Sequence, residues 1–131
     1  MAELPIDSGD DVVRVRQHVR AAAADSGLSL VDQTKLVTAA SELARNALVH
    51  AGGGSARVEV ATSATGRAGI RITFTDAGPG IADLDLALTD GWTTGDGLGL
   101  GLSGARRLVD EFELVSKPGA GTSVVVAKWS R

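Results

Sequence analysis

From Asp76 to Leu102 the chain runs through residues 77–101 with little sign of regular structure and a high density of glycine. A connection of roughly 20 residues or more without elements of its own is uncommon in a small domain, where it usually serves as a functional lid or stays disordered. The chain has 131 residues, which fits one domain spanning 1–131.

Ahead of the stretch, Glu3 to Asp7 reads as a short edge strand, weakened by Pro5. Ser8 with Asp11 resembles a capping box, and Val12, Val15, Val19 and Ala22/Ala23 follow at helical spacing to Gly27. Ser29 and Asp32 form a second such box, ahead of a stripe at Leu36, Ala40, Leu43 and Ala47 that stops at Gly52-Gly53-Gly54. Val58 and Val60 alternate as a strand, Ser63 to Gly69 turns, and Gly69 to Asp76 returns as a hairpin partner. Within 77–101, Asp83 to Leu88 suggests a helical turn. Beyond it, Leu102, Ala105, Leu108, Val109 and Phe112 mark a third helix, and Glu113 to Lys117 and Thr122 to Trp129 read as strands joined by Pro118-Gly119-Ala120-Gly121. The expected class is α+β: helices on one face of a mixed, largely antiparallel sheet, a two-layer sandwich.

Composition narrows the function. Apolar residues make up 44%, enough for a sizeable core, and the net charge is −3, from 13 basic and 16 acidic residues. That balance gives no basic face for nucleic acid. Cysteine is absent, which removes disulfide and thiol chemistry. No apolar run reaches the roughly 20 residues of a membrane helix. The acidic start MAELPIDSGDD does not suit a secretory leader, so a cytoplasmic protein without a membrane partner is the expectation.

Three places could carry chemistry. The alternating run Ile70, Ile72, Phe74 ends in Asp76, followed by Gly78, Pro79 and Gly80. A strand thus delivers one carboxylate to the mouth of a glycine loop, either as a site group or as a turn-forming Asp before Gly. In GWTTGDGLGLGL (Gly91 to Leu102), Gly97, Gly99 and Gly101 let backbone N–H groups approach an anion at the start of a helix. A plain glycine loop is the alternative. There is no GxxxxGK[ST], so this is not a P-loop, and the glycines do not sit after the first strand of a βαβ unit, so it is not a Rossmann site. In SELARNALVHA (Ser41 to Ala51), Glu42 and Asn46 share one helix face beside the core stripe. Asn46 can offer an oxygen to Mg²⁺ and Glu42 can accept a proton. Otherwise both belong to a solvated face.

The order of these motifs resembles the GHKL ATPase superfamily (gyrase, heat-shock chaperone, histidine kinase, MutL) with its Bergerat nucleotide-binding fold. Four boxes carry the resemblance: Glu42 to Asn46, Asp76-Ala77-Gly78-Pro79-Gly80, Gly97-Leu98-Gly99-Leu100-Gly101 and Gly119-Ala120-Gly121-Thr122. The resemblance implies that Asp76 accepts a hydrogen bond from the adenine amino group of ATP, and that Gly78 and Gly80 let the loop pass the base. It further implies that Thr122 supports the same corner, often through water, and that Asn46 ligates Mg²⁺. The same resemblance implies that Gly97, Gly99 and Gly101 belong to the lid over the phosphates and that Glu42 is the general base.

SELARNALVHAG, DAGPGI, DGWTTGDGLGLGLSGARRLVDEFEL and the ending VVVAKW resemble, more closely, the stand-alone anti-sigma-factor type Ser/Thr kinases, and among them the stressosome switch kinases of the RsbT type. That resemblance implies phosphorylation of a STAS-domain partner and, after release, activation of a PPM-type phosphatase. Two alternatives stay open: an anti-sigma factor of the RsbW kind that binds a sigma factor, and a nucleotide-gated docking module without significant kinase activity. His18 and His50 read as structural, His50 at most as a pocket edge. Arg45 could reach a phosphate or stand on the surface. Arg106 and Arg107 read as solvated helix charges or partner contacts, and Asp90 and Asp96 are expected to point outward.

Overall fold

The computed structural model describes residues 2–78, 101–116 and 119–131. Among them the order is β1 (Ala2–Ile6), α1 (Gly9–Asp25), α2 (Leu30–Ala51), β2 (Gly54–Thr62), β3 (Ala68–Asp76), an α-helix here called α3 (Gly101–Leu108), β4 (Glu111–Ser116) and β5 (Thr122–Trp129). The expected turn at Asp83 to Leu88, Gly80, Gly97, Gly99, Asp90 and Asp96 lie outside the described residues. The five strands form one sheet in the order β1-β2-β3-β5-β4. All four ladders are antiparallel, so the mixed character expected from the sequence is absent among the described strands.

The core lies where period-two strands meet period-3.6 helices. Ile70, Ile72 and Phe74 of β3, Val58 of β2, and Val124 and Val126 of β5 are buried on one sheet face. Val15, Val19 and Ala23 of α1 and Leu36, Ala40, Leu43 and Ala47 of α2 are buried with them. Leu36 and Ile72 are fully buried. Removing one such side chain from water contributes about 1.5–3 kcal/mol. β1 starts at Ala2 and tolerates Pro5 because it is an edge strand, where a missing N–H costs no ladder bond.

Several local expectations change. The Ser8 side chain makes no cap hydrogen bond; instead the Asp11 carboxylate accepts the Asp7 backbone N–H at 2.8 Å and pairs with Arg14. The Asp7 N–H, with help from Arg14 and against the effect of burial, holds the Asp11 carboxyl below its ordinary pKa. Ser29 does cap α2, accepting the Asp32 N–H at 3.1 Å, and Gly52 ends that helix in the left-handed region at φ 74°. The apolar stripe drawn through Phe112 as helix is split. α3 ends at Leu108, and β4 begins at Glu111 rather than Glu113. The Asp110 N–H already donates to the Ala127 carbonyl at 2.9 Å, so the chain has joined the sheet before Phe112. Phe112 still packs against the core, from a strand.

At the end of the sheet where β5 finishes, a charged cluster ties the layers together. Lys128 is 3% exposed and lies 3.7 Å from both Asp32 of α2 and Asp110 before β4. Arg131 reaches the same two carboxylates at 3.8 and 2.8 Å. Burial pushes the Asp110 carboxyl pKa up, but the Trp129 N–H, Lys128 and Arg131 outweigh it and leave the group below its ordinary value.

Candidate functional site

The opposite end of the sheet gathers the sequence-predicted residues. Asp76 is the last residue of β3 and Thr122 the first of β5, and the two are register partners. Strand alternation puts both on the helix-covered face, in line with buried Phe74 and Val124, and both are half-buried. Asp76 thus sits where the sheet runs out of apolar side chains and presents its carboxylate past the core. One oxygen, Oδ1, accepts the Gly78 N–H at 3.0 Å. The other has no partner recorded among the described residues.

Glycine is needed on both sides of that carboxylate. A Cβ on Gly78 would stand 2.8 Å from the Cα of Ala51, the last residue of α2, and nearer still to its Cβ. Gly78 therefore lies against the C-terminal end of α2. Gly121 adopts φ +84°, in the left-handed region, and its added Cβ would collide with the Asp76 carbonyl oxygen. The turn before β5 closes over the Asp76 backbone only because no side chain stands between them.

The Gly78–Ala51 approach brings in the polar pair of α2. Asn46 lies five residues before Ala51, about 7.5 Å along the helix axis at 1.5 Å per residue. Glu42 lies one turn further back. Both are half-buried, whereas Leu43, Ala44 and Ala47 beside them are buried. The pair borders the core, as its spacing predicts. Arg45 and His50 are exposed, as is His18 on α1. α3 begins at Gly101 and buries Leu102 and Ala105. Arg106 and Arg107, both exposed, stand in its last turn, where positive charge suits the helix dipole.

Sequence reasoning missed Ser116, the last residue of β4. It is the register partner of Thr122, and their hydroxyl oxygens lie 2.8 Å apart. Ser116 Oγ also donates to the Gly121 carbonyl at 3.1 Å. The only signal in the sequence was Ser116 and Thr122 flanking the Gly-Ala-Gly turn. Turning that into a contact needs the strand register.

Chemically, this end offers a carboxylate acceptor with one committed oxygen, a hydroxyl beside it, and a carboxylate and an amide on the neighbouring helix. Among the described residues no group of three or more His, Asp or Glu could cage a metal ion. An ion here would be held by one oxygen such as that of Asn46, with the remaining ligands from phosphates and water, which is the usual habit of Mg²⁺. No described helix is long and apolar enough to cross a membrane.

A family model described as histidine kinase-, DNA gyrase B-, and HSP90-like ATPase matches residues 31–130. The serine/threonine-protein kinase RsbT of Bacillus subtilis is 44% identical over 121 residues, covering 92% of this chain and 90% of that protein. The anti-sigma F factor of Bacillus cereus is 30% identical over 118 residues, covering 87% and 81%. Among solved structures, the mycobacterial sensor histidine kinase MprB is similar with a TM-score of 0.56 at 21% identity, covering 99% of both chains. Full-length ShkA in complex with AMPPNP is similar with a TM-score of 0.58 at 20% identity; 89% of this chain matches 28% of that one. At such identities the two structures speak for the fold alone.

Proposed function

Because the chain belongs to the histidine kinase-, DNA gyrase B- and HSP90-like ATPase family, we propose that it is an ATP-dependent protein serine/threonine kinase that binds ATP at the Asp76–Thr122 end of the sheet. The observation that carries the reading is the 44% identity to serine/threonine-protein kinase RsbT across nearly the full length of both chains. The site chemistry is compatible. The free oxygen of Asp76 can accept an N–H of the adenine amino group, and Gly78 has no side chain to crowd the base; Gly80 would serve likewise. The phosphates would then extend toward α2 and the start of α3, and Gly97, Gly99 and Gly101 would supply backbone N–H groups. Asn46 would hold Mg²⁺, which when bound neutralises phosphate charge.

Glu42 takes the proton of a substrate Ser or Thr hydroxyl as its oxygen attacks the γ-phosphorus. The bond from that phosphorus to the β-phosphate oxygen breaks, and ADP leaves. The chain's own contribution is positioning: α2 is anchored in the core through Leu36, Leu43 and Ala47, and so carries Glu42 and Asn46 on a packed helix. The substrate would be a STAS-domain protein, with a PPM-type phosphatase as a second partner after release. The 30% identity to an anti-sigma F factor supports a second reading, in which the same nucleotide site gates binding to a sigma factor.

The test is a phosphotransfer assay with γ-labelled ATP, Mg²⁺ and a STAS-domain protein encoded beside this chain. Label on the STAS protein that is lost in Glu42→Ala, with ATP binding retained, is the expected result. Full transfer by the variant removes Glu42 as the base. Absence of label with ATP bound turns the reading toward sigma-factor docking.

A further inference from the structure

We propose that Ser116 is a positioning residue that fixes the direction of the Thr122 hydroxyl proton and thereby makes the pocket selective for a 6-amino over a 6-oxo purine. The inference rests on the ATP-site reading above and adds a residue that lies outside every motif box. Its basis is a proton count. The Gly121 carbonyl can only accept, so the 3.1 Å bond from Ser116 Oγ consumes the one hydroxyl proton of Ser116. The 2.8 Å contact between Ser116 Oγ and Thr122 Oγ1 must then be made with the Thr122 proton. The Thr122 oxygen is left with lone pairs only. Asp76, its register partner, accepts the Gly78 N–H with Oδ1 and offers the pocket a further acceptor. Two acceptors side by side suit an exocyclic amino group, or a water that donates to them. They repel a carbonyl oxygen in the same place.

The backbone holds the chain of protons in place. Ser116 and Thr122 are paired across β4 and β5. Gly121, at φ +84°, aims its carbonyl at Ser116 while its missing side chain lets the turn rest on Asp76. Without the Ser116 hydroxyl, Thr122 would be free to rotate and donate into the pocket, and a 6-oxo purine would gain a partner.

The experiment is a calorimetric titration of the full chain with Mg·ATP and Mg·ITP, whose base carries a 6-carbonyl. The wild type should bind ATP more tightly. In Ser116→Ala the ATP/ITP affinity ratio should fall roughly 3- to 10-fold, the worth of one hydrogen bond, with ITP binding tighter than in the wild type. Ser116→Thr, which keeps the hydroxyl, should keep the ratio. In a Thr122→Val background, Ser116→Ala should change nothing further, because its target is gone. A general structural defect would weaken both nucleotides alike and leave the ratio unmoved. That result, in a variant with wild-type Tm, overturns the inference and leaves the ATP site standing, as does equal ATP and ITP binding by the wild type. A wild type that binds neither nucleotide overturns both. Should Ser116→Ala not fold, Ser116→Cys, of similar volume and a weak donor, is expected to shift the ratio in the same direction, and an unchanged ratio there counts against the inference.

Discussion

Replacing Asp76 by Asn asks one side chain to do two jobs with half its acceptors. The carboxylate has two oxygens: Oδ1 accepts the Gly78 N–H at 3.0 Å, and in the proposed site the other would accept from the nucleotide. An asparagine has one carbonyl oxygen and one amide NH₂. If the oxygen stays on Gly78, the NH₂ faces the donor N–H of the adenine amino group. If the amide turns, the Gly78 N–H beside Ala51 loses its acceptor. Either arrangement forfeits a hydrogen bond to a charged group, worth about 1.5–3 kcal/mol. At 1.4 kcal/mol per tenfold, Asp76→Asn should raise the Kd for Mg·ATP roughly 10- to 150-fold. Asp76 is half-buried at a strand end, so Tm should move by only a few degrees. Titration of a fluorescent adenine nucleotide, with competition by ATP, measures the Kd. A variant whose Kd stays within twofold of wild type, with the fold intact, would refute the adenine assignment.

Asn46→Ala should remove the Mg²⁺ dependence of nucleotide binding, read as the ratio of Kd with and without the ion; an unchanged ratio moves the metal elsewhere. Leu36→Ala, a fully buried position on the core face of α2, should cost about 2–5 kcal/mol in urea unfolding, and a loss below 1 kcal/mol would mean that the helix is not anchored as described. The Asp110 carboxyl is held below its ordinary value, so its contribution is present above the unfolded pKa near 3.9 and disappears as the pH falls through the lower folded value. Tm should accordingly drop below about pH 4, and Asp110→Asn should be less stable at neutral pH with a shallower acid decline; an identical acid slope in the variant would exclude that role.

Helix α2 was legible because its signals are local. Ser29 caps it, Leu36, Ala40, Leu43 and Ala47 recur on one face, and Gly52 ends it in a conformation that suits glycine. Asp76 was legible because period-two alternation names the face on which a strand's last residue lies, and the register with Thr122 bears that out. Phe112 misled because four residues from Leu108 is a helical step, although the chain turns at Val109 and Asp110 and enters the sheet at Glu111. The Ser8 box was half right: its acidic member, Asp11, acts, but on the Asp7 N–H.

Lys128 could not have been found this way. Its carboxylate partners Asp32 and Asp110 come from a helix start and a turn far away in the chain, and inside VVVAKW it reads as an exposed strand residue. Asp32 had a plausible local role at the cap, which concealed its long-range one. Ser116 was missed for the same reason, since a hydroxyl at a strand end means little until the register sets it opposite Thr122.

The claim that matters most is that the Asp76–Thr122 end of the sheet, and not the charged end around Lys128, takes the nucleotide. Amide-resolved NMR spectra recorded during a titration with Mg·ATP test it directly. Saturable shifts should appear at Asp76, Ala77, Gly78, Gly121 and Thr122 and along Glu42 to Ala51, while Asp32, Asp110, Lys128 and Arg131 stay still. Shifts confined to that second set, or none at millimolar ATP, would contradict the account.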